Sequence, residues 1–151
     1  MTDVERRTVT GIVDDRLARA LGGAMLALRI TLGIFLLQWG FEKFVVPQNT
    51  VGIWQHFYGM SIPAALGYLF GAVEIAIAIC IFLAVLRTVA YGAALVLHTI
   101  SMVVSWPPLL NPWAEPVNHL FIAGLPVWGA FLALFLLRHC DRGFRRSPRP
   151  A

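Results

Sequence analysis

Four long runs of apolar positions alternate with shorter polar or proline-rich connections along the chain, at about residues 20–44, 62–86, 88–106 and 117–137. A helix rising about 1.5 Å per residue needs roughly 20 apolar residues to cross the ~30 Å hydrocarbon core, and each run approaches or exceeds that length. The pattern predicts an all-α fold, an integral membrane four-helix bundle over residues 20–137. Residues 1–19 then form an N-terminal segment and residues 138–151 a basic tail.

The connections differ in character. Residues 45–61 are too many for a tight turn and too apolar for a solvated loop. After Pro47, Gln48 and Asn49, Thr50 is placed to open a short helix carrying Val51, Ile53, Trp54, Phe57 and Tyr58, which reads as an interfacial helix in the first outer loop. The second and third runs are joined by a short turn at Arg87, so those helices are antiparallel neighbours. The connection from Pro107 to Pro116 follows Trp106 and holds four prolines and Trp113, which predicts a stiff cap with aromatic anchors at headgroup depth. Pro126 is expected to kink the fourth span.

With 58% hydrophobic and 13% charged residues, the chain is far from an ordinary soluble composition. The net charge of +4 would suggest nucleic acid in a soluble protein, but here the basic residues flank the apolar runs. Arg6, Arg7, Arg16 and Arg19 precede the first span, Arg87 lies between the second and third, and five arginines from Arg138 to Arg149 follow the fourth. By the positive-inside rule both termini are cytoplasmic in a multi-pass protein of a bacterial-type inner membrane, with no nucleic-acid partner. The residues before the first run include Asp3, Glu5, Asp14 and Asp15 and do not read as a cleaved leader. Cys80 and Cys140 have no Cys-x-x-Cys partner, so disulfide redox chemistry lacks its residues.

Three ionisable residues, Arg29, Glu74 and His98, fall near mid-bilayer depth within the apolar runs, where an uncompensated charge costs a few kcal/mol. Counted from the outer ends, Arg29 lies roughly 22 Å deep, Glu74 roughly 18 Å and His98 roughly 13 Å, which predicts a common polar layer. Helical spacing places Arg29 with Gly33, Gly40 and Lys43, Glu74 with Gly67 and Gly71, and His98 with Tyr91 and Ser101. Two readings of Arg29 and Glu74 are open: an ion pair fixing packing, or the lining of a pocket for a polar headgroup or proton path. His98 is open in the same way, between a hydrogen-bonded core residue and a proton carrier, with Trp39 and Tyr91 as aromatic neighbours of the layer. Gln38, Glu42, Lys43, His56, Glu115, Asn118 and His119 gather near the outer surface, either as solvated and snorkelling groups or as the mouth of a site. No tight ligand motif points to a metal, and no haem or flavin motif is present.

Arg29-x-x-x-Gly33, Gly40-x-x-Lys43, Gly71-x-x-Glu74, Arg87 and Glu115-x-x-Asn118-His119 together resemble the DoxX family of small four-helix membrane proteins, over about residues 22–137. The chain departs from that pattern at Ile75, Ala76, Ile77 and Ala78, where members often carry glycines. The resemblance implies a quinone-interacting or redox-complex membrane subunit linked to sulfur, thiol or oxidative-stress metabolism. The expected ligand is then a quinone, and the expected partners are the lipid bilayer, a soluble or membrane redox protein as electron donor, and further copies of the chain. A non-enzymatic scaffold is the competing expectation. An oligomeric small-solute permease is the third, with neither inverted repeats nor paired broken helices to support it.

Overall fold

The computed structural model describes residues 3–115, 117–141 and 143, with side chains from residue 14 onward. Pro116, Arg142, the side chains of Arg6 and Arg7, and the tail arginines from Arg145 on therefore lie outside the described residues. Helices account for nearly all of the described chain: α1 (Asp3–Val45), α2 (Pro47–Tyr58), α3 (Ala64–Leu83), α4 (Arg87–Val104), α5 (Trp106–Leu110) and α6 (Gly124–Leu136), the last entered through a 3₁₀ turn over His119–Ala123. Among the described residues, four stretches are long and apolar enough to cross a membrane: Asp14–Val45, Ala64–Leu83, Arg87–Val104 and His119–Leu136. The outward faces of these helices stay apolar, with Ile34, Leu69, Val96 and Leu136 exposed, as lipid contact requires.

Local chemistry sets the helix ends. Val46 takes an extended φ of −132° before Pro47, which cannot continue α1 but suits the first position of α2. Gly59, at φ 65°, closes α2 in the left-handed conformation and donates its amide to the Trp54 carbonyl. Between α3 and α4 the turn is made without glycine: Ala84 and Leu86 both adopt positive φ, 53° and 46°. Asn118 caps the 3₁₀ turn, its side chain accepting from the Leu120 amide at 3.0 Å. Pro126 falls in the first turn of α6, where its missing N–H interrupts no intrahelical bond. The expected mid-span kink at Pro126 is thus replaced by a helix that changes from 3₁₀ to α just before it.

The closest helix pair is α1 with α3, and two glycines set its register. A methyl placed on Gly71 would lie 2.8 Å from the Gly40 carbonyl oxygen, so the backbones meet without side chains between them. Around this crossing the core is built from Met25, Leu32 and Leu36 of α1, Ala78 and Ile81 of α3, Tyr91 and Ala94 of α4, and Phe131 and Leu134 of α6. The bundle has two unlike ends. The turn end carries the Ala84–Leu86 connection and the start of α4; the loop end carries α2, α5 and the 3₁₀ turn.

Candidate functional site

At the loop end, α1, α2, α3 and α4 line a partly open cavity of about 350 Å³. Phe35 and Trp39 of α1 form one wall, meeting edge to face at 6.3 Å. α2 supplies the facing wall, where Trp54 stacks on Tyr58 at 4.4 Å and on Phe70 of α3 at 5.2 Å. The sequence puts α2 in this place by pairing small groups: buried Thr50 rests against Gly67 of α3, where an added methyl would come within 3.3 Å of the Thr50 side chain.

Polar groups interrupt the aromatic lining at three points. Lys43 Nζ donates to Glu74 Oε2 at 2.7 Å and to the Trp39 carbonyl at 3.2 Å, turning the ammonium back along α1 toward the cavity. Both side chains are mostly buried, at 13% and 17% exposure, so the pair is held in a medium of lowered dielectric. His98 Nε2 lies 3.0 Å from the Gly124 carbonyl, which can only accept, so Nε2 is the donor in this contact. Its ring also packs edge to face on Phe35 at 5.6 Å. Tyr58 is the third group, and burial together with the nearby Glu74 charge pushes its phenol up, keeping it a neutral hydrogen-bond donor.

Arg29 is not part of this site. It pairs with Asp141, Nη1 to Oδ1 at 3.1 Å, while Glu74 pairs with Lys43, so the structure replaces the Arg29 and Glu74 pair considered from the sequence. The reason is register. With Gly40 crossing Gly71 in antiparallel helices, Glu74 lies level with Leu37, about 12 Å of helix rise from Arg29. Counting depth from the ends of the apolar runs missed this offset, and the single layer separates into a cavity at the loop end and a buried polar cluster at the turn end. Tyr91 belongs to the second cluster, donating its hydroxyl to Asp141 Oδ2 at 2.5 Å.

The outer polar group also divides. Lys43 lines the cavity; Gln38, His56, Glu115, Asn118 and His119 are exposed and stand outside its lining. Glu42 accepts from the Asn49 amide nitrogen and so ties the end of α1 to α2. Among the described residues no group of three His, Cys, Asp or Glu comes together to hold a metal ion. Cys80 and Cys140 are free thiols.

Sequence reasoning did not assign Thr50, Trp54, Tyr58 or Phe70 to a site, although the apolar character of the first loop marked it as packed. Asp141 was also missed. A single carboxylate among the arginines that follow the last span was the available signal.

A family model described as DoxX matches residues 24–106. That range contains every residue that lines the cavity and stops short of Asp141. No curated protein and no solved structure matches the chain.

Proposed function

The chain belongs to the DoxX family, and from that premise we propose that it is a quinone-binding membrane subunit of a redox system in sulfur, thiol or oxidative-stress metabolism. The observation that carries the reading is the cavity itself: an apolar, aromatic-walled space of about 350 Å³ with Lys43, Glu74, Tyr58 and His98 at its margin. A space at the lower end of the range for small-molecule pockets, with few polar groups, suits a planar ring bearing carbonyl oxygens. The Trp54, Tyr58 and Phe70 stack offers faces for such a ring, and Lys43 and the Tyr58 hydroxyl are donors for its oxygens. An isoprenoid tail would pass between the helices into lipid. Bound quinone would supply two-electron, two-proton carrier chemistry, and the protein would supply position, a proton-bearing margin and exclusion of water.

In this reading both termini face the cytoplasm, α2 lies in the opposite membrane interface, and the membrane is the bacterial inner membrane. Electrons come from a soluble or membrane redox partner, since Cys80 and Cys140 lie apart from the cavity lining. Further copies of the chain complete that assembly.

The test is a titration of the detergent-purified protein with a short-chain ubiquinone or menaquinone analogue, read by tryptophan fluorescence. Trp39 and Trp54 line the cavity, so saturable quenching that is lost from Trp39→Phe/Trp54→Phe protein is the expected result. Non-saturable quenching, identical in a variant with Ile53→Trp filling the space, would remove the proposal and leave a scaffold role in its place.

A further inference from the structure

Asp141, at the turn end of the bundle, accepts more side-chain and backbone hydrogen bonds than any other carboxylate among the described residues, and the quinone reading makes no use of it. It lies beyond the end of α6, on a segment that no helix continues. Its carboxylate is nonetheless buried, at 3% exposure, held by Arg29 Nη1 at 3.1 Å on one oxygen and by the Tyr91 hydroxyl at 2.5 Å on the other. Arg87 donates to its main-chain carbonyl, and the Gly143 amide returns to Oδ1 at 2.9 Å.

The donors belong to the bundle. Arg29 sits in the middle of α1 at 1% exposure and Tyr91 in α4 at 0%. Arg87 is aimed by the turn: its Nε donates to the carbonyl of Ala84 at 3.0 Å, and Ala84 and Leu86 are the two non-glycine residues with positive φ among the described residues. Non-glycine residues disfavour that conformation, and such conformations gather where surrounding structure holds a site in place. Gly143, itself at φ 60°, lies between the guanidiniums: a methyl there would come within 3.7 Å of Arg87 Nη2 and 3.9 Å of Arg29 Nη1.

We propose that Arg29 and Tyr91 form an oxyanion-binding site whose tethered internal occupant is Asp141, with Arg87 holding the Asp141 main chain beside it. A guanidinium and a hydroxyl meeting two oxygens of one group recognise the O–X–O edge common to carboxylate, sulfate and phosphate. The tether gives Asp141 a high effective concentration, so an outside anion binds well only when the segment is loosened. That anion is either a free ion or the phosphate of an acidic lipid drawn to the basic bundle end. The site stands on its own geometry, and its failure would leave the quinone reading untouched.

Two variants expose it. Asp141→Asn removes the competing charge; Gly143→Ala keeps the carboxylate and both of its side-chain donors but strains the segment at its positive φ. Thermal unfolding of the full chain is compared in sulfate against chloride at equal ionic strength, and in nanodiscs of phosphatidylglycerol against phosphatidylcholine. Either variant is expected to gain about 3 °C from the anion, the unmodified chain less, and the gain is expected to vanish when Arg29→Met or Tyr91→Phe is added. A response to sulfate identifies a free anion, and a response to phosphatidylglycerol alone identifies a lipid phosphate. Sulfate stabilises many proteins without binding, so a gain that survives both added substitutions, or no gain in either variant, overturns the proposal.

Discussion

Lys43 and Glu74 meet at 2.7 Å beside the point where Gly40 of α1 crosses Gly71 of α3, so the ion pair and the closest helix contact share one level of the bundle. The glycines bring the backbones together, and the pair then closes over the cavity margin. Neutralising one partner leaves the other charge mostly buried without its counter-ion. Lys43→Met or Glu74→Gln alone is expected to lower stability by about 1–3 kcal/mol, and the double variant by less than the two effects added. Unfolding in mixed micelles, taken as a double-mutant cycle, measures the coupling.

The crossing itself is equally testable. A side chain larger than hydrogen at Gly71 meets the Gly40 carbonyl and the Phe44 ring, each 2.8 Å from an added methyl. Gly71→Val is expected to cost about 2 kcal/mol or more, because backbone on the far side cannot yield as a flexible side chain would. Gly52, with nothing within 4 Å, is the control, and Gly52→Ala is expected to change little.

At the other end, Tyr91→Phe removes one of the two side-chain donors to a buried carboxylate. A loss of about 1.5–3 kcal/mol is expected, the range for hydrogen bonds to charged groups. Any binding of the quinone analogue proposed for the cavity should be unchanged, since Tyr91 does not line it.

Tyr58 supplies a pH test. Its phenol is raised above the ordinary value of 10.0 by burial, with Glu74 adding to the rise, so folding favours the protonated form. The stabilisation is complete below the unfolded value near pH 10 and is lost as pH climbs through the folded value. Ultraviolet titration of the protein minus its Tyr58→Phe variant should show this phenol ionising later than a free tyrosine; ionisation at the ordinary value would contradict the burial.

The four long apolar helices were legible because hydrophobic length is a strong signal in a chain that must satisfy its backbone inside lipid. Trp39, Glu74 and His98 stood out as one buried layer and Lys43 as part of a separate outer group; all four line the cavity. Their partners did not. Which charge faces Glu74 depends on how far α3 slides along α1, and the Gly40 and Gly71 contact that sets this is invisible to a helical period. One turn of slide, about 5.4 Å, is enough to exchange Arg29 for Lys43 as the nearer cation. Asp141 was hidden differently: a carboxylate among arginines reads as solvated tail until Tyr91 and Arg29 are seen to bury it. The 3₁₀ entry to α6 escaped notice because Pro126 alone cannot tell a kink from a late start.

The central claim is that a quinone ring enters the space between Trp39, Trp54, Glu74 and His98. Photolabelling with an azidoquinone, followed by mass spectrometric mapping of the modified residues, tests it most directly. The account predicts labelling confined to residues of the cavity on α1, α2, α3 and α4, competed away by unlabelled quinone and reduced by Trp54→Ala. Labelling spread over the lipid-facing residues Ile34, Leu69, Val96 and Leu136, and indifferent to competitor, would contradict it.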